Sequence, residues 1–134
     1  MIMIAPPSPF PTPFKPLLSI SSPKAARILK AGMRTGVALR PETPVSVVLP
    51  LLRPRRLLHC VDVLAVNPGF GGQVFESSVL AKVTELRSLC PGLDIQVDGG
   101  VNASTAAACV AAGANVLTSG SFIFGGGDDF VAEN

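Results

Sequence analysis

Short apolar runs alternate along the chain with stretches of helical periodicity. Thr35 to Leu39, Val61 to Val66, Asp94 to Val97 and Asn115 to Ser119 are too short and too apolar for surface helices, and suit strands of a sheet covered on both faces. Between them Phe75, Val79, Val83, Leu86 and Leu89 recur at helical spacing opposite Lys82, Glu85 and Arg87, the longest helix in prospect, which Pro91-Gly92 ends. Ala103 to Ala112 is a run of small residues able to lie close against a sheet, with Asn102 as N-cap and Gly113 as its stop. Earlier, Ser22-Pro23 reads as an N-cap and first helical residue of a helix that Gly32 ends, and Thr43-Pro44 opens another that Pro50 limits. Leu51 to Cys60 has no readable period, and Asp128 to Asn134 leaves a stub for a last helix. Strands alternating with helices in this way make right-handed βαβ units, so the expected fold class is α/β with a parallel sheet of four strands.

Glycine follows three of these strands. Asp98 ends the run DIQVD and precedes Gly99-Gly100, where the absence of a Cβ lets backbone approach a ligand. LAVNPGFGGQVF places Gly69, Phe70, Gly71 and Gly72 after the strand before it, and VLTSGSFIF places Gly120 and Ser121 after the strand that follows. The bland account of these loops is a turn from strand to helix, and of Asp98 a capping or loop carboxylate. Gly125 to Gly127 read as flexible punctuation with no site role.

Composition narrows the classes. A chain of 134 residues, 48% hydrophobic with mean hydropathy +0.49, has core material for one domain. A formal charge of +2 and the absence of Trp and Tyr give no reason to expect a nucleic-acid partner, and Arg53, Arg55 and Arg56 read as a solvated loop. No apolar run approaches the ~18 residues a membrane span needs. Cys60, Cys90 and Cys109 form no C-x-x-C pair, which favours a reduced cytoplasmic chain. Residues 1–21 hold six prolines (Pro6, Pro7, Pro9, Pro11, Pro13 and Pro16) and are expected to be disordered, with 22–134 as the domain. The segment has serines and no acidic residue, so plastid or mitochondrial targeting is an alternative; so are a linker and a wrongly assigned start.

The strings VDVLAVNPGFGGQVFESSVLAKVTELRSL and LDIQVDGGVNASTAAACVAAGANVLTSGSFIF, with ILKAGMRTGVALRPETPV upstream, strongly resemble the ribulose-phosphate 3-epimerase family from about Ser22 to Phe124. The resemblance implies the C-terminal half of a (β/α)₈ barrel, a fold that takes ~250 residues when closed. A half-barrel has open edges and an uncovered apolar face. The expectation is a truncated or misassembled gene product, the alternative a homo-oligomer that completes itself. In the family a carboxylate pair moves a proton at the carbon beside a ketone while a divalent metal (Zn, Fe, Mn or Co) stabilises the oxyanion. The resemblance makes Asp98 one of that pair and a metal ligand. It makes Gly99, Gly100, Gly120 and Ser121 phosphate-binding, and Gly69, Phe70, Gly71 and Gly72 a mobile loop over the substrate, followed by Gln73. Leu64 stands where many relatives carry methionine. The other aspartate and two histidine ligands belong to motifs absent here. His59 reads as an exposed loop imidazole, and Asp62 as lying just before a strand, at the end where barrels keep stability residues.

The implied activity is interconversion of D-ribulose 5-phosphate and D-xylulose 5-phosphate, with a phosphorylated pentose as partner. The chain alone is expected to bind metal poorly and to lack turnover. The competing readings are an allulose-phosphate 3-epimerase and a non-catalytic phosphosugar-binding module.

Overall fold

The computed structural model describes residues 2–4, 23–52, 57–69 and 73–124. Elements follow in the order β1 (Ile2–Ile4), α1 (Pro23–Lys30), β2 (Gly36–Leu39), α2 (Leu49–Leu52), β3 (Cys60–Leu64), α3 (Leu80–Leu89), β4 (Asp94–Asp98), α4 (Ala103–Ala112), β5 (Val116–Thr118) and α5 (Ser121–Phe124). Single 3₁₀ turns, Val45–Val47 and Ser77–Val79, lead into α2 and α3. All neighbouring strands pair in parallel, in the order β1-β2-β3-β4-β5. A strand order that never reverses means that every right-handed crossover returns on the same side, so the helices collect on one face. A doubly wound sheet would reverse its order and carry helices on both. The fold is therefore α/β of the barrel type, a partial (β/α)₈ arrangement.

The helical face is the core. Val37 and Leu39 of β2, Val61 and Val63 of β3, and Ile95 and Val97 of β4 pack with Val79, Val83 and Leu86 around α3, Cys109 of α4, and Val45, Val48 and Leu52. Two cations on α3 tie it to both ends of the sheet. Lys82 Nζ donates to the carbonyls of Arg40 (3.0 Å), Pro41 and Thr43 (2.8 Å) just beyond β2. Arg87 donates to Gly113 O (2.9 Å), Pro91 O (2.6 Å), Leu93 O (2.8 Å) and Asn115 Oδ1 (3.1 Å) at the other end.

Several expectations need correction. Ile2–Ile4, placed in a segment expected to be disordered, pairs with β2 as a fifth strand; residues 5–22, including the Ser22 N-cap, lie outside the described residues. Pro50 does not limit a helix but sits in the first turn of α2, where its missing N–H would have had no intrahelical partner anyway. The stub at Asp128 to Asn134 and the glycines at 125–127 fall outside the described residues.

Candidate functional site

Because every strand runs the same way, their C-terminal ends form one rim. Register pairs Leu64 with Asp98 and Asp98 with Thr118, so these side chains share the rim layer. One layer down, Ala38, Asp62, Gln96 and Val116 are level. Alternation along the strands sends Asp62, Leu64, Gln96 and Asp98 to the face away from the helices, since Val61, Val63, Ile95 and Val97 fill the helical side.

Asp62 is therefore not a residue just before a strand, as the sequence suggested, but the middle of β3 and a neighbour of Asp98. It is 4% exposed, and among the described residues neither carboxylate oxygen has a well-formed hydrogen bond. Burial pushes its pKa from 3.8 to about 7, with the Asp98 charge adding to the shift and the Gln96 amide working against it. A carboxyl inside an apolar run gave the sequence reading no cue to its orientation.

The turn after Asp98 is built by close backbone approach. Ala65 N donates to Asp98 O (2.7 Å) and Glu76 N to Ala65 O (2.8 Å), which draws the chain on both sides of the glycine loop against β4. Gly99 (φ 105) faces the side chain of Val66, and Gly100 (φ 64) faces the backbone of Phe75. Ser119 Oγ donates to Val101 O (2.7 Å), joining the end of β5 to the same turn. Asn102 then caps α4 as expected: its side chain accepts from Ser104 N and Thr105 N, and Thr105 Oγ1 accepts from Asn102 N.

These three strand ends enclose a cleft of about 630 Å³ whose polar lining is Gln73, Ser77, Gly100, Asn102, Thr105 and Ser121. Of the residues singled out in the sequence, Gly100 and Ser121 meet here, each with its partner Gly99 or Gly120 one residue before it, and Asp98 stands at the strand end leading in. Gly120 faces open space and has no positive φ, so packing does not demand glycine there. Gly69 is exposed, and Phe70, Gly71 and Gly72 lie outside the described residues. The sequence reading gave Ser77 no role; a serine ahead of a helix carries no signal until the fold brings it into the cleft that Ser121 also lines.

Whether these residues fit the metal of the resemblance is a question of donors. Asp98 has Asp62 and Asp94 on its face of the sheet, but among the described residues no group of three His, Cys, Asp or Glu could hold a metal ion. The donor set does not fit that group. His59 stands at the far end of β3. It is half-buried rather than an exposed loop imidazole, with Nδ1 3.3 Å from both Thr35 N and Thr35 Oγ1. A second cleft of about 380 Å³ opens at that far end, beside Arg34, His59 and Cys90, where barrels keep stability rather than chemistry. Arg34 is engaged there with Asp94, whose carboxyl it holds below the usual range with help from Asn115.

Comparison with known proteins follows the same residues. The model of the ribulose-phosphate 3 epimerase family matches residues 19–124. Curated relatives include the cytoplasmic isoform of ribulose-phosphate 3-epimerase from Oryza sativa subsp. japonica, 50% identical over 70% of this chain and 41% of its own length. The ribulose-phosphate 3-epimerase of Bacillus subtilis is 42% identical over 75% of this chain and 48% of its own. The chloroplastic ribulose-5-phosphate-3-epimerase of Arabidopsis thaliana is 41% identical over 76% and 37% respectively. The chain thus spans less than half the length of these relatives. Among the described residues no helix is long and apolar enough to cross a membrane.

Proposed function

The chain belongs to the ribulose-phosphate 3-epimerase family, and from that premise we propose that its rim is one wall of a site that interconverts D-ribulose 5-phosphate and D-xylulose 5-phosphate. The observation that carries this reading is the cleft itself. Gly100, in the turn after β4, and Ser121, the first residue of α5 after β5, line one cleft beside the strand that ends in Asp98. Backbone amides and hydroxyls at such positions hold a phosphate monoester, and barrel enzymes often bind phosphate after their last two strands.

The reaction takes a proton from the carbon beside the ketone and returns one to its opposite face. Asp98, half-buried at the rim, is the base or acid on one side. The resemblance assigns the second proton carrier, and whatever stabilises the enediolate oxygen, to motifs that this sequence lacks. On this reading the chain by itself binds phosphosugar, binds divalent metal weakly and has no epimerase turnover; a second copy or a longer polypeptide would have to complete the barrel. We place it in the cytoplasm, where Cys60, Cys90 and Cys109, all unpaired, stay reduced. Among the described residues Asp98 has no third metal donor beside it, which favours one other reading, a phosphosugar-binding module without catalysis.

Two measurements on the purified chain decide. Phosphorus NMR titrations with inorganic phosphate and with ribulose 5-phosphate are expected to show binding of both, and a coupled xylulose 5-phosphate assay no turnover. Failure to bind either phosphate removes the proposal, and turnover by the pure chain contradicts its incompleteness.

A further inference from the structure

Five side chains offer polar atoms to the cleft, and the structure has already engaged three of them. Gln73 Nε2 donates to Asn67 O (2.7 Å). The oxygen of Asn102 accepts from Ser104 N (2.9 Å), Ser104 Oγ (2.6 Å) and Thr105 N (3.2 Å), while its nitrogen reaches Gly100 O (3.4 Å). Thr105 Oγ1 accepts from Asn102 N (3.0 Å) and lies 3.3 Å from Gly100 O. The capping box therefore takes the N–H groups of Ser104 and Thr105, which a phosphate at the start of α4 would otherwise use. Ser77 and Ser121 remain, and neither hydroxyl has a hydrogen bond to the described residues.

We infer that the Ser77 hydroxyl is a phosphate-binding donor in the cleft it shares with Ser121. This rests on the phosphosugar reading above and adds a donor from the segment that follows β3. Ser77 is held in place by its neighbours rather than by bonds of its own. Glu76 N is fixed to Ala65 O (2.8 Å), Phe75 lies against Gly100, and the next residue but one, Val79, is fully buried. The acidic residue next to Ser77 in sequence, Glu76, is not part of the lining, and its Oε1 accepts from Ser78 Oγ (2.7 Å). A phosphate monoester presents acceptor oxygens in several directions, so donors that follow different strands suit it better than donors from one.

The test uses the full chain, with inorganic phosphate and ribulose 5-phosphate as separate probes followed by phosphorus NMR. Ser77→Ala is expected to weaken both by roughly tenfold or more, the loss for a hydrogen bond to a charged group, with the unfolding midpoint unchanged because Ser77 is exposed. Ser77→Thr, which keeps the hydroxyl, should retain most of the affinity, and Ser78→Ala, outside the lining, should retain all of it. Native binding with unchanged affinity in Ser77→Ala overturns the role of Ser77 and leaves the phosphosugar reading standing. Absence of binding by the native chain overturns both.

Discussion

Gly100 lies so close to Phe75 that a Cβ built on it would stand 2.9 Å from both the N and the Cα of Phe75. Backbone cannot rotate aside as a side chain can, and Gly100 also has φ 64. This contact presses the chain after the glycine loop onto the turn after Asp98 and so closes one side of the cleft.

Gly100→Ala should therefore combine a left-handed backbone penalty with overpacking and cost about 2–5 kcal/mol in urea unfolding. Gly32→Ala is the matched comparison, since Gly32 has φ 76 with nothing within 4 Å of its would-be Cβ. It should cost only about 1–2 kcal/mol. Equal costs would show that the Phe75 contact yields easily.

Asp62 makes stability fall as pH rises. Its folded pKa, about 7, lies above the ordinary 3.8, so the folded state holds a proton that the unfolded chain has released across that interval. The contribution is fully present below about pH 4 and is lost as pH climbs through 7. Between pH 5 and 8, where Asp94 stays ionised, unfolding of the native chain should become easier by a few kcal/mol at most. Asp62→Asn, a neutral stand-in for the protonated acid, should flatten that slope. A slope that survives the substitution would place the titrating group elsewhere.

What could be read from sequence was whatever is encoded locally. The α4 boundaries were legible because Asn102 and Gly113 act on their own neighbours, and β4 because Ile95 and Val97 alternate with polar residues that end in Asp98. The paired glycines were legible as a turn, but the reason for them, Val66 and Phe75 pressed against the backbone, exists only after β3 and β4 pair. Asp62 was misread because register with β4, not local pattern, sets its layer. Ser77 was passed over because the cleft it shares with Ser121 depends on three strand ends at once. The strand Ile2–Ile4 is too short for periodicity to reveal among prolines.

Arg87 is expected to be a stabilising residue with no part in binding. It bonds four acceptors at the end of the sheet opposite the cleft, and Lys cannot reproduce the planar fork. Arg87→Lys should lower the unfolding free energy by about 1–3 kcal/mol while phosphate affinity in the folded chain stays the same. A loss of affinity at temperatures where the variant is folded would link the two ends of the sheet.

Asn102 separates the cleft's electrostatics from its architecture. Its side-chain oxygen caps α4, a role aspartate also fills, and a carboxylate at a helix N-terminus gains about 0.3–1 kcal/mol from the helix dipole, which offsets the loss of the long 3.4 Å contact from Asn102 Nδ2 to Gly100 O. Asn102→Asp should therefore unfold at the same or higher urea concentration than the native chain. Yet Asn102 also lines the cleft, so the new negative charge would sit beside any bound phosphate and repel it. Phosphate affinity should fall, most strongly at low ionic strength, where screening is least. A variant more stable than native and weaker toward phosphate would locate the anion at this cleft by charge alone, and unchanged affinity at low salt would move it elsewhere.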